Sequence, residues 1–190
     1  MTINELQFFR EQLSLCTDYL EFGSGYHSTS LAVQEKKINR ITTVESNRHF
    51  WRELVKTDKN IKEAVRMKRL KPIFVNIGLI KEWGYPVDDS LIEHWPEYAR
   101  CPFVSKSDYD LVLIDGRFRI ACALNACINL SSDTKILIHD FYNRPYYRLL
   151  LLFLNEIDKV DTMGLFSINA NNDKELIKRA ISLYEYSPEL

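Results

Sequence analysis

The sequence predicts a single α/β domain over residues 1–190, built on a doubly wound, mostly parallel seven-stranded sheet with helices on both faces and a closing antiparallel strand. Three observations carry this. β-branched and apolar runs of strand length alternate with stretches of helical period, the pattern of βαβ units. Between Asp110 and Asp115 the run Leu-Val-Leu-Ile is unbroken by any polar residue, as a strand covered on both faces must be. The last two strand-like runs, Lys159–Met163 and Leu165–Ala170, meet at Gly164 and read as a hairpin.

In chain order, Thr2 to Glu5 has capping-box spacing, and Ile3, Leu6, Phe9 and Leu13 recur at helical intervals, predicting a helix over 3–15. Tyr19, Leu20 and Phe22 form a strand over 18–22, broken by Gly23 and Gly25; Ser28, Thr29 or Ser30 then caps a helix over about 28–37. Strand, glycine turn and helix N-terminus make the ligand-binding corner of a Rossmann-like unit, with Gly23, Ser24, Gly25, Ser28 and Thr29 around the ligand. Ile41 to Glu45 is the second strand. Glu45 follows Gly25 by twenty residues, the place of a carboxylate that accepts ribose hydroxyls, with Ser46 beside it. Ser46 or Asn47 begins a helix with Phe50, Trp51, Leu54 and Val55 on its apolar face.

Residues 56–71 are locally basic, but no aromatic or glycine-rich RNA-binding motif accompanies them, so they read as a solvated helix face. Pro72 to Ile77 is the third strand, with Asn76 near its end. The long 78–108 segment carries Trp83, Tyr85, Trp95, Tyr98 and Phe103; it predicts a short helix near 89–98 and aromatics that partly wall a pocket. A helix over 118–130 follows Asp115. Thr134 to Asp140 is the fifth strand and ends in His139-Asp140. Pro145 starts a helix to about Ile157, and a last amphipathic helix spans 172–184.

Composition narrows the classes. A net charge of −1 offers no field to recruit nucleic acid or anionic membrane. The apolar run Leu149–Leu154 is too short to insert in a membrane, and the N-terminus lacks the basic start of a signal peptide. Cys16, Cys101, Cys122 and Cys127 form no Cys-x-x-Cys pair and read as buried thiols in a reducing cytoplasm. The sequence leaves a homo-oligomer open.

Glu21-Phe-Gly-Ser-Gly25 resembles the first motif of class I S-adenosylmethionine-dependent methyltransferases; the nicotinamide fingerprint wants a third glycine where Ser28 stands. Val75-Asn-Ile-Gly78, Trp83-Gly-Tyr-Pro86, Leu113-Ile-Asp-Gly-Arg-Phe-Arg119 and Ile138-His-Asp-Phe141 extend the likeness over roughly residues 15–170. Together they resemble a group of bacterial methyltransferase-like proteins. The resemblance implies S-adenosylmethionine as cofactor, with Glu21 near its methionine end, Asn76 beside its adenine and Asp115 among the residues that bind it. It implies O-methyl transfer to a small-molecule or sugar hydroxyl. The Pro-Pro-aromatic motif of enzymes that methylate exocyclic nucleobase amines is missing after the fourth strand.

Asp115, His139 and Asp140 fall at the carboxyl ends of neighbouring strands, where open α/β sheets bind ligands. By the same resemblance they can hold a divalent metal that orients the acceptor, although a histidine suits magnesium poorly. Alternatively His139 is a general base, or the aspartates only pair with Arg117 or Arg144. A non-catalytic protein that keeps the fold for cofactor binding or assembly is the second functional reading.

Overall fold

The computed structural model describes residues 1–105 and 108–190, so the 106–107 part of the 78–108 segment lies outside the described residues. One seven-stranded sheet organises the chain, in the order β3-β2-β1-β4-β5-β7-β6. Its strands are β1 (Asp18–Phe22), β2 (Arg40–Glu45), β3 (Leu70–Phe74), β4 (Leu111–Ile114), β5 (Lys135–Ile138), β6 (Leu154–Val160) and β7 (Met163–Ile168). The first five are mutually parallel, and β7 runs antiparallel to both its neighbours.

Side-chain alternation sends the central strands into two cores. Leu20, Phe22, Val112, Ile114, Ile136 and Ile138 join one face, under α5 (Trp95–Arg100), α6 (Arg119–Asn129) and α7 (Lys174–Tyr184). Tyr19, Leu111, Leu113 and Leu137 join the other, under α1 (Ile3–Leu13), α2 (Ser28–Gln34), α3 (Arg48–Thr57) and α4 (Lys59–Arg66). Covered on both faces, these strands are mostly apolar, which explains the unbroken run in β4; Glu21 in β1 is a buried exception.

Local signals read from sequence hold at several ends. Thr2 and Glu5 form a reciprocal capping box, and Asn47 caps α3 by accepting from the Phe50 amide; Asp173, a cap not singled out from the sequence, starts α7. The basic stretch contains α4, whose exposed Arg66 pairs with Glu63 at 2.6 Å. No helix among the described residues is long and apolar enough to cross a membrane.

Three expectations need correction. The helix expected from Pro145 to Ile157 is a 3-10 turn, Pro145–Leu152, and Leu154–Ile157 belong to β6. The Phe153 carbonyl is taken by the Asn169 amide and the Asn172 side chain, and Leu154 pairs with Ile168, so the backbone leaves the helix there. The hairpin turns at Asp161 and Thr162 rather than Gly164, with Asp161 at φ 50°. Gly164 lies inside β7, where a Cβ would meet the Phe166 ring at 2.5 Å. Lastly, α2 has no side-chain cap: Ser28 and Thr29 are buried within the helix.

Candidate active site

A cleft of about 710 Å³ opens at the carboxyl ends of β1, β2, β4 and β5. Two loops form its floor by close backbone contact. A Cβ on Gly23 (φ 86°) would lie 2.7 Å from the Gly116 Cα, and one on Gly116 would lie 2.2 Å from the Tyr98 hydroxyl. Both positions therefore require glycine for packing alone.

At the β1–β2 end Gly23, Ser24, Glu45, Ser46 and Phe50 line the cleft. Glu45 is buried, and its carboxylate accepts from the Ser24 amide (3.2 Å) and hydroxyl (2.5 Å) and from the Ser46 and Asn47 amides (both 2.8 Å). Four donors fill this carboxylate, so a ligand hydroxyl reaches it at the cleft edge by displacing the Ser24 hydroxyl.

Glu21 is placed elsewhere than expected. It shares the α2-covered face of β1 with Tyr19, two residues away, and is fully buried behind the glycine loop rather than in the cleft. The Thr29 hydroxyl donates to Glu21 at 2.5 Å and accepts from the Gly25 amide at 3.0 Å; the Tyr19 hydroxyl donates to Glu21 at 3.2 Å. Burial pushes the Glu21 carboxyl up to about 7, against hydrogen bonds led by Thr29. Glu21, Ser28 and Thr29 thus support the loop from behind. Asn76 also misses the cleft, because β3 stops at Phe74. The Asn76 side chain is exposed and accepts from the Gly78 amide at 3.2 Å.

The β4–β5 end brings Asp115, His139 and Asp140 together in the cleft wall. His139 Nδ1 lies 2.8 Å from Asp115 and 3.8 Å from Asp140; Nε2 lies 3.3 Å from Glu5. Burial disfavours charge on His139, but the carboxylates, Asp115 foremost, outweigh it and raise its pKa above 6.5. Glu5 went unrecognised beyond its capping role. It is 1% exposed, and its carboxylate also accepts from the Thr162 amide and hydroxyl at 3.0 and 2.6 Å. Burial raises the Glu5 pKa; the bonds from Thr162 and Thr2 and the charge of His139 outweigh this and hold it below the usual carboxylate value. Only the separation of 134 residues hid this contact from sequence reading.

Arg119 is the other residue missed. Its side chain is 5% exposed and makes five hydrogen bonds, to the carbonyls of Gly116, His139 and Asp115 and to the carboxylates of Asp115 (3.1 Å) and Asp140 (3.3 Å). A guanidinium therefore stands between the two carboxylates that one of the sequence readings offered to a metal. Charge repulsion and the committed lone pairs make this a poor divalent site. Among the described residues no group of three acidic, histidine or cysteine side chains is arranged to hold a metal ion. Of the ion pairs anticipated for the aspartates, Asp140–Arg144 forms at 3.1 Å, while Arg119 takes the place foreseen for Arg117.

The aromatic segment divides. Trp95 and Tyr98 are core residues packed on Phe118, and the Trp95 indole donates to the Ile77 carbonyl at 2.9 Å. Residues 81–85 form a flap over the cleft, closed by the Ile80–Pro86 bridge and a tight turn with Trp83 at φ 62° and Gly84 at φ 76°. The four cysteines are free thiols and line no part of the cleft.

Comparison with solved structures places the fold. A methyltransferase-like protein from Silicibacter pomeroyi DSS-3 is 24% identical, over 99% of this chain and 96% of that one, with a TM-score of 0.85. An O-methyltransferase from Bacillus cereus in complex with SAH is 13% identical over 89% and 82% of the two chains, TM-score 0.55. Spermidine synthase from Thermotoga maritima is 12% identical over 96% and 77%, TM-score 0.50. At these identities the likeness establishes a shared fold, which hosts more than one transfer chemistry. No protein-family model and no curated protein matches the sequence.

Proposed function

We propose that this chain is an S-adenosylmethionine-dependent O-methyltransferase acting on a hydroxyl of a small or carbohydrate-type acceptor. The observation that carries the reading is one cleft with an anchored carboxylate, Glu45, at one end and a histidine set between carboxylates at the other. The residues fit the cofactor: Glu45 and Ser24 suit the ribose hydroxyls, and Phe50 offers an apolar ring at the same end. When bound, S-adenosylmethionine supplies a methyl carbon activated by a sulfonium.

The chain's part is orientation and proton transfer. Asp115 and Asp140 line the cleft and face Nδ1 of His139, whereas buried Glu5 faces Nε2. Nδ1–H donates to Asp115 at 2.8 Å when the ring is charged; in the neutral ring that keeps Nε2–H on Glu5, Nδ1 takes the acceptor's hydroxyl proton where that hydroxyl replaces Asp115 beside it. Glu5 thus selects the tautomer, as the orienting carboxylate does in other His-based sites. Arg119 holds Asp115 and Asp140 in place and substitutes for a metal.

Binding is tested by thermal shift. S-adenosylmethionine or its demethylated product at 100-fold its Kd stabilises the protein by about 2.7 kcal/mol, whereas NAD and NADP leave its melting temperature unchanged. Glu45→Ala weakens that binding by about tenfold or more, since the ribose loses a charged acceptor. Absence of any shift with millimolar S-adenosylmethionine turns the reading to a non-catalytic protein of the same fold.

The base is tested by pH. Neutral His139 accumulates only above its raised pKa, so turnover, read as demethylated cofactor released with a panel of hydroxyl compounds, climbs with pH above 6.5 and survives chelators. His139→Ala lowers it roughly a hundredfold. A rate that ignores both pH and His139→Ala leaves the cluster structural.

A further inference from the structure

The carboxylates at the β4–β5 end of the cleft are all engaged by Arg119, His139 and Arg144, and none is left to face Arg117. Arg119 is met by Asp115 and Asp140, and His139 by Glu5 and Asp115. Arg144 has only a share of Asp140, which Arg119 also holds. Lys81 and Glu82 on the flap offset one another in charge. Arg117 is left over. It is 7% exposed, forms no ion pair with any described residue, and its Nε has no hydrogen-bond partner among them. Burying a cation without a counter-charge costs several kcal/mol, which an anion bound in the cleft would offset.

The Tyr85 flap marks where that anion would lie. The Arg117 guanidinium stacks on the Tyr85 ring at 4.0 Å from its centroid. Burial pushes the Tyr85 phenol up, but the charges of Arg117 and Arg144 outweigh it and hold the phenol below its ordinary value. An electron-rich oxygen of the protein itself thus faces both arginines. Gly84 at the flap tip lies over Arg117, with space for a Cβ 4.0 Å from the Arg117 Cγ, so the flap covers this corner.

We propose that the acceptor carries an oxyanion, a carboxylate or a phosphate, and that Arg117 and Arg144 bind it beneath the Tyr85 flap. The proposal rests on the methyl-transfer reading only for the cleft's being an acceptor site. Guanidinium groups present planar, paired donors that match both oxyanions, and Arg117 has a donor to spare. Anchored there, one end of the acceptor is fixed while its hydroxyl is directed to the wall that holds Asp115 and His139. A diamine or other cationic acceptor meets repulsion at the same place.

Calorimetric titration of the full chain, with and without demethylated cofactor, tests this with four probes. These are 3-hydroxybenzoate and neutral 3-hydroxybenzyl alcohol, and glucose 6-phosphate and neutral glucose. At least one anion is expected to bind about tenfold or more tightly than its neutral counterpart, and which pair shows the preference identifies the oxyanion. Arg117→Gln removes most of that preference, and so does Arg144→Gln, a less buried position (side chain 24% exposed) that guards against misfolding of the first variant; neither changes affinity for demethylated cofactor. Equal affinity for anion and neutral partner, no binding of any probe at millimolar concentration, or a preference that survives both substitutions overturns the proposal. An anion preference without cofactor binding supports the oxyanion site and sinks the methyl-transfer reading.

Discussion

Arg119→Met is expected to destabilise the protein by about 3–5 kcal/mol, the range for removing one partner of a buried ion pair. The substitution leaves Asp115 and Asp140 facing each other across an apolar side chain and strips donors from the carbonyls of Gly116, Asp115 and His139. Arg119→Lys will not rescue it, because one ammonium cannot reach five acceptors spread across a planar fork. Replacing both aspartates by asparagine in the Arg119→Met background should recover much of the loss, since the unpaired charges are then gone. Urea unfolding measures all of these. A loss below about 1 kcal/mol would mean that the cluster behaves as a solvated surface pair, and the account of Arg119 as the cation of this site would fail.

The second large effect comes from Glu21. Its carboxyl titrates at about 7 in the fold against an ordinary 4.5, so the folded state holds a proton that the unfolded state has released. Its contribution to stability is fully present below about pH 4.5, is lost as pH rises through about 7, and amounts to roughly 3 kcal/mol. Glu21→Gln cannot ionise and can still bond Thr29 and Tyr19. The difference in unfolding free energy between variant and parent should therefore shift in the variant's favour by about 3 kcal/mol between pH 4.5 and pH 8. Subtracting the two profiles cancels every other titrating group. A difference that stays flat with pH would place the Glu21 carboxylate in contact with water and refute its burial behind the glycine loop.

What sequence reading could and could not reach follows the range of the interactions. The order of strands and helices, the β1 glycine turn, the capping box at Thr2 and the placement of Glu45, Asp115 and His139 at strand ends were legible. Each depends on periodicity or turn chemistry within a few residues. The same locality explains the misreading at 145–157: an apolar run after a proline suits a helix, and only pairing with β7 makes Leu154–Ile157 a strand. Glu21 was visible as an acid before the glycines, but its direction was not. Period-two alternation sets it beside Tyr19, and the packing of α2 over that face turns it away from the cleft.

Sequence alone therefore determined the doubly wound sheet and which strand ends carry polar groups, because hydrophobic period and backbone preferences act over single elements. Tertiary structure alone decided which of those groups meet. Glu5 reaches His139 because α1 packs against the sheet beside the β6–β7 turn, where Thr162 also bonds it. Arg119 reaches Asp140 because β4 and β5 are neighbours in parallel register. Hydrogen bonds and ion pairs act over a few ångströms of space, and the sheet order, not distance along the chain, sets what lies within them.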